Sequence, residues 1–425
     1  MKTIIKRKLI KHTRTYKNKS TKTKKQHLFY INKCNNGLDT TILSRYLKKL
    51  GLIPDSKAMN YIEKQYNLIA ANYKLSRAQF CDSYDRTLIV NVPSYLINAD
   101  VFFYHNNNLN LDKPFYKYAK FLCNSLNIDY SMLNKNILYD NIVKYNFRNK
   151  LILKYFIKTF MLSSKDKFKF PGNYILRPIY GFDGSGILYV HNSKDLINAI
   201  KYYNTHYDYR NHLYSLNTIT VSSFITDLLL FKGRKYHIRI YYMVAILECD
   251  VSCFILDIGN IQTAKEPYNL DLPYSKSVHD SHSFEADYLF PYDITPENIS
   301  SLKKNNYSEH EFDTNTILKG IRLIGKGISN IVVGISKDNP TSLLYDNQQN
   351  GYYIYGLDIL VRDNFEPVLI ECNNQPDLSG ININKNLSRI FYEWINETIL
   401  EPLFKHPGHA TEYARKHKTY IPLDK

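Results

Sequence analysis

The sequence predicts a mixed α/β and α+β chain, in which an N-terminal α/β unit precedes antiparallel hairpins. Three stretches carry that expectation. A strand–helix–strand run lies within residues 28–92. A strand, a glycine-rich loop and a second strand occupy 174–190, and a long apolar hairpin occupies 351–373. At 425 residues the chain is long enough for two or three structural units.

Taken in order, residues 1–27 hold eleven of the Lys and Arg and no acid; the formal charge is +17, so 17 − 11 leaves +6 for the body. Such a tail is a disordered, solvated segment, a localisation signal, or an electrostatic arm for nucleic acid or an acidic protein. His27–Lys33 reads as a strand. Thr40–Leu50 reads as a helix, with Ile42, Leu43, Tyr46, Leu47 and Leu50 at helical spacing and Gly51 as its stop. Leu88–Val92 is a second strand. Lys113–Leu126 is expected to be helical, with Pro114 in its first turn, and Asn134–Phe160 is a weakly patterned helical segment.

Tyr174–Pro178 is a strand that carries Arg177 near its end. Gly181-Phe182-Asp183-Gly184-Ser185-Gly186 follows, then the strand Ile187–Val190. Closely spaced glycines let backbone N–H groups approach a phosphate, although the same run also suits a mobile hairpin turn. It is no Walker A loop, because no Gly-Lys-Ser/Thr follows. Leu196–Tyr203 is a helix and Thr218–Ile225 a strand. In the strand Lys235–Leu247, residues Lys235, His237 and Arg239 alternate, so all three share one face. Either that face is solvated, or an anion or a carboxylate cluster lies opposite.

Ile261–Tyr268 is expected to turn the chain, and Lys276–Tyr307 to be a polar loop region. Thr314–Val333 is an amphipathic helix with Ile317, Ile321, Ile324 and Ile328 on one face and a potential break at Gly325 and Gly327. Asn386–Leu403 closes the fold around Trp394, and 406–425 is a basic tail.

The 351–380 stretch is the most informative. Tyr352–Arg362 and Val368–Asn373 read as strands around a turn at Asp363–Glu366. Pairing Asp363 with Glu366 sets 361 opposite 368, 359 opposite 370 and Asp358 opposite Glu371, with Asn373 on the face of Glu371. Val361, Ile359, Leu357, Val368, Ile370 and Cys372 then form the apolar face. Two opposed carboxylates on a strand pair need a cation between them. Carboxylate and amide oxygens suit Mg²⁺ that completes its shell with water and phosphate. Ordinary strand-end residues paired with Lys or Arg is the other reading.

A cation before a glycine-rich loop, a K-x-H-x-R strand, IQTAKEPY, and then YGLDILVRDNFEPVLIECNN stand in the order found in the tubulin–tyrosine ligase-like family. The chain resembles that family from about Tyr30 to about Lys385, most closely in the last two motifs. INKCNNGLDTTILSRYLKKLGL is similar to its opening strand and helix, and YFIKTFMLSS to its Phe-Pro-x-Thr-Phe-x-Leu-Pro stretch. The resemblance implies an ATP-grasp fold, with the nucleotide between two mixed or antiparallel sheets and an N-terminal α/β domain before them. The implied division is a basic tail at 1–27, an N-terminal domain at 28–112, a central subdomain with the glycine-rich loop at 113–225, a C-terminal subdomain at 226–405, and a basic tail at 406–425.

Carried onto this sequence, the resemblance makes Asp358, Glu371 and Asn373 the Mg²⁺ ligands. Lys235 and Arg239 hold the γ-phosphate and an acyl-phosphate intermediate. Lys113, Arg177, Gly181, Gly184, Ser185, Gly186 and Asp358 contact nucleotide, and Ser222, Ser223, Phe224 and Ile225 form the hinge beside adenine. Gln262 and Lys265 fall where substrate is held. The sequence departs from the family at His237, where an Asp is usual, at Gln262, where an Arg is usual, at Arg177, where a Lys is usual, and at Ser222-Ser223, where Gln-Lys is usual. His237 remains able to donate a hydrogen bond or act as a base. The implied activity is ATP-dependent ligation of an amino acid (Glu, Gly or Tyr) to an acidic protein acceptor such as a tubulin tail. A degenerate ATP-binding module that docks on an acidic partner is the alternative. Six cysteines without a CxxC pair fit a reducing, cytoplasmic setting. No apolar run reaches the length of a membrane span. A monomer without a nucleic-acid partner is expected.

Overall fold

The computed structural model describes residues 28–31, 40–54, 56, 60, 64, 101–103, 121–123, 131–132, 134–164, 167–179, 186–205, 216–270, 275–281, 284–338, 350–374, 376 and 385–422. The chain opens with β1 (Leu28–Ile31), α1 (Thr40–Lys49) and β2 (Ile53–Pro54), followed by β3 (Val101–Phe103) and β4 (Phe121–Cys123). β1 pairs with β2 and β3, and β3 with β4, all in parallel. The strand expected at 88–92 lies outside the described residues. The helix expected over Lys113–Leu126 is overturned at Phe121–Cys123, which is a strand between β3 and β14 (Gly351–Val361). Short apolar runs satisfy either element, and pairing decides between them.

The segment from 134 is two helices, α2 (Lys135–Asn146) and α3 (Lys150–Leu153), and then β5 (Thr159–Met161). Asn149 restarts the helix, because its side chain accepts from the Ile152 N–H. β6 (Tyr174–Pro178), β7 (Leu188–Val190), α4 (Ser193–Thr205) and β8 (Ile219–Ser223) complete a four-stranded antiparallel sheet, ordered β5-β8-β6-β7. Leu176, Val190, Ile219 and Val221 pack under Ala199 and Tyr203 of α4. By alternation, Arg177, Thr220 and Ser222 point from the opposite face.

β9 (Leu229–Phe231) leads into β10 (Tyr236–Leu247) and β11 (Asp250–Thr263). α5 (Lys276–His279), β12 (Phe284–Phe290), β13 (Ile299–Ser301) and α6 (Thr314–Asp338) follow. The chain closes with β14 and β15 (Pro367–Asn374), α7 (Lys385–Ile395), α8 (Glu401–Lys405), α9 (Ala410–Ala414) and β16 (Tyr420–Ile421). The larger sheet runs β12-β11-β10-β14-β4-β3-β1-β2, with β15 also on β14 and β16 on β11. One sheet thus joins the N-terminal strands to the C-terminal hairpins.

Alternation along β10 and β14 sorts the large sheet into two cores. Ile238, Ile240, Tyr242, Tyr355, Leu357 and Ile359 face α6, where Ile317, Ile321, Ile324 and Ile328 form the stripe read from the sequence. Tyr241, Met243, Tyr352 and Ile354 face α7, with Phe391 and Trp394. α6 does not break at Gly325 or Gly327. Their missing side chains admit neighbours: a Cβ would lie 2.6 Å from Ile421 at Gly325 and 2.8 Å from Ile152 at Gly327.

Three further expectations change. Ile261–Thr263 continues β11 and the turn begins after it. Lys276–Tyr307 holds α5, β12 and β13 and is no mere loop. Residues 406–425 contain α9 and β16: the Glu248 carboxylate accepts from the Gly408 and Ala410 N–H groups, and Tyr420–Ile421 pairs with β11. A high Lys content read as a tail is offset there by a backbone ladder and by Ala410, Ala414 and Ile421 in the cores.

Gly320 supplies a test of the helix–sheet seam. A Cβ there would sit 2.3 Å from Pro367 Cγ, a rigid ring. Helix propensity alone would stabilise Gly320→Ala by about 1 kcal/mol, and overpacking costs about 1–3 kcal/mol. The expected outcome is a net loss, read as a lower denaturation midpoint at unchanged slope; a raised midpoint would contradict the packing.

Candidate functional site

The hairpin β14–β15 delivers the predicted pair: Asp358 lies opposite Glu371, Leu357 opposite Cys372 and Gly356 opposite Asn373. Beyond Asp358 the register differs from expectation. Ile359 pairs with Leu369 and Val361 with Pro367, so Ile370 is bulged out. The cause is the turn, in which Phe365 adopts a left-handed φ of 65° and its N–H donates to Arg362. Leu369 takes the α6 core position expected of Ile370 and Val368. Val368 instead joins Ile225, Leu228, Leu230, Tyr268, Val278 and Leu360, with Ile370 packed against that cluster.

Asp358 is fully buried. Arg239, directly opposite on β10, holds it with two hydrogen bonds, from Nε to Oδ1 and at 3.0 Å from a terminal nitrogen to Oδ2. The forked guanidinium matches both carboxylate oxygens. Burial works against the Arg239 charge, and the Asp358 carboxylate more than offsets it, so its pKa is raised. Gly356 makes room for this arm, since a Cβ there would meet Arg239 Cδ at 3.0 Å. Asn373 Nδ2 donates to Asp358 at 2.9 Å and to Glu371 at 3.1 Å.

His237 is buried on the same face of β10 as Arg239. Its Nε2 is 3.6 Å from Asp358 and its Nδ1 is 2.7 Å from the Ser281 hydroxyl. Lys235 begins that face. Burial pushes its pKa down to about 8, the Arg177 charge acts in the same direction, and Asp280 opposes both. Burial also lowers His279, with Lys235 adding to the effect.

The smaller sheet brings cations to the same carboxylates. Arg177 lies 3.9 Å from Glu371, and a terminal nitrogen donates to Ser222 at 3.3 Å. Burial lowers its pKa against the pull of Glu371. Ser222 is held by Thr159 at 3.0 Å. Ser223 and Phe224 spend their N–H groups on the Lys158 and Asn173 carbonyls, and Ile225 packs in the cluster between the sheets. Lys135 of α2 reaches Glu371 at 3.0 Å. Sequence reasoning missed it and chose Lys113, which lies outside the described residues, as do Gly181, Gly184 and Ser185. The sequence offers no particular signal for it: it is one more lysine at the start of a helix in a lysine-rich chain. Gly186 is described, at a left-handed φ of 69°, with its carbonyl bound by the Tyr203 hydroxyl at 2.6 Å.

Gln262 lies opposite His237 across β10–β11, whereas Lys265 is exposed beyond the end of β11. Asp358, Glu371 and Asn373 converge within hydrogen-bond reach, a hard-oxygen set that fits one Mg²⁺ once the Asn373 amide presents its oxygen. The described residues hold no cluster of three or more His, Cys, Asp or Glu that could bind a metal. An open cleft of about 280 Å³ adjoins Lys135, lined also by Tyr139, Phe156, Thr159 and Ile370.

Two sheets that close over paired carboxylates, with cations from both, define an ATP-grasp fold. The model of the tubulin-tyrosine ligase family matches residues 117–410, and the chain belongs to that family. It is 26% identical over 209 residues to the probable tubulin–tyrosine ligase PBY1 of Saccharomyces cerevisiae. The match spans 46% of this chain and 26% of that protein. The crystal structure of the C-terminal domain of K. lactis Pby1, described as an ATP-grasp enzyme interacting with the mRNA decapping enzyme Dcp2, is similar in fold. The TM-score is 0.51 at 16% identity, over 94% of this chain and 99% of that one. No described helix is long and apolar enough to cross a membrane.

The Lys235 shift has a sign. Its folded pKa is depressed from 10.5 to about 8, so the unfolded chain binds the extra proton between those values. The penalty of burying the charge is full below about 8 and is relieved as pH rises toward 10.5. A polyphosphate placed against Lys235 reverses that depression. ATP binding near pH 9 is therefore expected to take up a proton fraction, seen as a buffer-dependent heat in calorimetry. Lys235→Met removes it; an equal uptake in that variant would contradict the assignment.

Proposed function

We propose that the chain is an ATP-dependent carboxylate–amine ligase acting on a protein acceptor. The observation that carries this is the convergence of Arg239, Arg177 and Lys135 on Asp358 and Glu371 from two sheets and a helix, with Lys235 close enough to Arg177 to feel its charge. Three cations against two carboxylates leave a positive surplus suited to a polyphosphate. The γ-phosphoryl group of ATP passes to an acceptor carboxylate, ADP leaves, and the amine of an amino acid attacks the activated carbonyl. The C–N bond forms as the C–O bond to phosphate breaks, and the amine proton goes to solvent.

Arg239 and Lys235 stabilise the charge that develops on the transferred group. Arg177 and Lys135 orient the phosphates, and the cluster around Ile225 and Ile370 receives the adenine. Asp358, Glu371 and Asn373 would hold Mg²⁺, which would supply charge neutralisation for the phosphates.

An acidic protein segment suits a body of net charge +6 and a basic N-terminal stretch. The yeast relative's description as a probable tubulin–tyrosine ligase supports tubulin as the acceptor. The K. lactis protein's description points to a protein partner of another kind. A cytoplasmic setting and a monomer complete the proposal. His237 beside Asp358 favours a second reading, a nucleotide-binding module without turnover, because an imidazole in either protonation state brings no anionic charge there.

Mass spectrometry of tubulin incubated with this protein, Mg²⁺·ATP and the common amino acids separates the readings. The ligase predicts a mass increment of one amino acid that is absent with Glu371→Gln. ATP binding without an increment on tubulin or on other acidic acceptors would favour the second reading.

A further inference from the structure

The outer side of α2 and α3 carries apolar side chains that the fold leaves uncovered. Both helices pack on α6 through Leu138, Ile142 and Ile152, all buried. Asn146 fixes that seam: its amide donates to the Gly327 carbonyl at 3.1 Å, and its oxygen accepts from Asn330 at 2.7 Å. On the outer side Val143 is 38% exposed, Phe147 62% and Leu151 54%. Val143 and Phe147 stand one helical turn apart, and Leu151 lies in the first turn of α3. Single exposed apolar residues are ordinary. Three between residues 143 and 151, on helices that bury their other side, form a patch of the kind that marks an interaction surface.

The patch is ringed by positive charge. Residues 135–158 contain six Lys and Arg and one acid, Asp140. Lys144 and Lys154 are bonded to Asp338 and Glu366. Arg148 and Lys150, exposed and set between Phe147 and Leu151 in sequence, have no acidic partner among the described residues. The Arg148 guanidinium lies 5.2 Å from the centre of the Phe147 ring. Aromatic rings and arginines are enriched where interfaces concentrate their binding energy.

We propose that this face docks a partner protein through a short segment that combines aromatic or aliphatic side chains with Asp or Glu. Its apolar side chains cover Val143, Phe147 and Leu151, and its carboxylates meet Arg148 and Lys150, which speeds encounter and fixes orientation. A nucleic acid would satisfy the cations but leave Val143 and Leu151 without an apolar complement. A second copy of this chain would bring like charges together at Arg148 and Lys150. The partner is held there and not modified. α2 starts at Lys135, which reaches Glu371 in the cleft. Phe147 lies twelve residues further along, roughly 18 Å at the helical rise. A segment docked at Phe147 leaves the cleft open, and its binding requires no turnover there.

The test is selection of random linear peptides displayed on phage against the full chain, followed by titration of the enriched peptides by fluorescence anisotropy. Peptides with Asp or Glu beside aromatic or aliphatic residues should be enriched. Phe147→Ser, and separately Arg148→Glu combined with Lys150→Glu, should each weaken their binding about tenfold or more at an unchanged thermal midpoint. Added salt should weaken it as well. Enriched peptides that lack acidic residues, equal affinity for either variant, or no enrichment each overturns the proposal. A dimer of the wild-type chain that Phe147→Ser dissolves would assign the face to a second copy. RNA that binds the chain and not the double variant would assign it to nucleic acid. Either result overturns the proposal too.

Discussion

The buried pairing of Arg239 with Asp358 is the constraint around which the rest of the site is arranged. Both charges sit between strands, Asp358 fully buried and Arg239 6% exposed. Desolvating two such ions is expensive, and removing one partner from a pair of this kind costs about 3–5 kcal/mol. An apolar pair would fill the same space at no electrostatic risk. Ions at that position fit the phosphate chemistry proposed for the cleft. Gly356 concedes its side chain to the guanidinium arm, and Asn373 and His237 complete the surroundings of the carboxylate.

That pair becomes a site because the two sheets meet over it. α6 and α7 bury opposite faces of the large sheet and hold β10, β14 and β15 in register. The apolar cluster of Ile225, Leu230, Leu360 and Val368 links the end of β8 to the β14–β15 hairpin. It brings Arg177 within 3.9 Å of Glu371, a residue nearly two hundred positions later in sequence. α2 adds Lys135 from a third direction. A ligand carrying several negative charges would replace repulsion among these cations with attraction, and would draw the sheets together.

Period-two alternation made the strand faces legible. It placed Lys235, His237 and Arg239 together, and Asp358 opposite Glu371, before any coordinates were needed. It could not place the bulge at Ile370, because the turn gains a third residue by holding Phe365 in a left-handed conformation that its type disfavours. Lys135 was invisible for a different reason. In a lysine-rich chain, one more lysine on a helix carries little information, and only tertiary packing brings it to Glu371. The C-terminal segment was read from its charge, while Tyr420 and Ile421 supplied the backbone pairing that orders it.

The central claim is that these side chains form a metal-assisted nucleotide site. Calorimetric titration of ATP into the full chain, with Mg²⁺ and with a chelator in its place, tests it most directly. The account predicts saturable one-to-one binding with Mg²⁺ that weakens at least about tenfold in Asp358→Asn, measured well below that variant's lowered thermal midpoint. Residual binding should persist under chelation, carried by Lys135, Arg177 and Lys235. No ATP binding in either condition, or an affinity indifferent to Asp358, would contradict it.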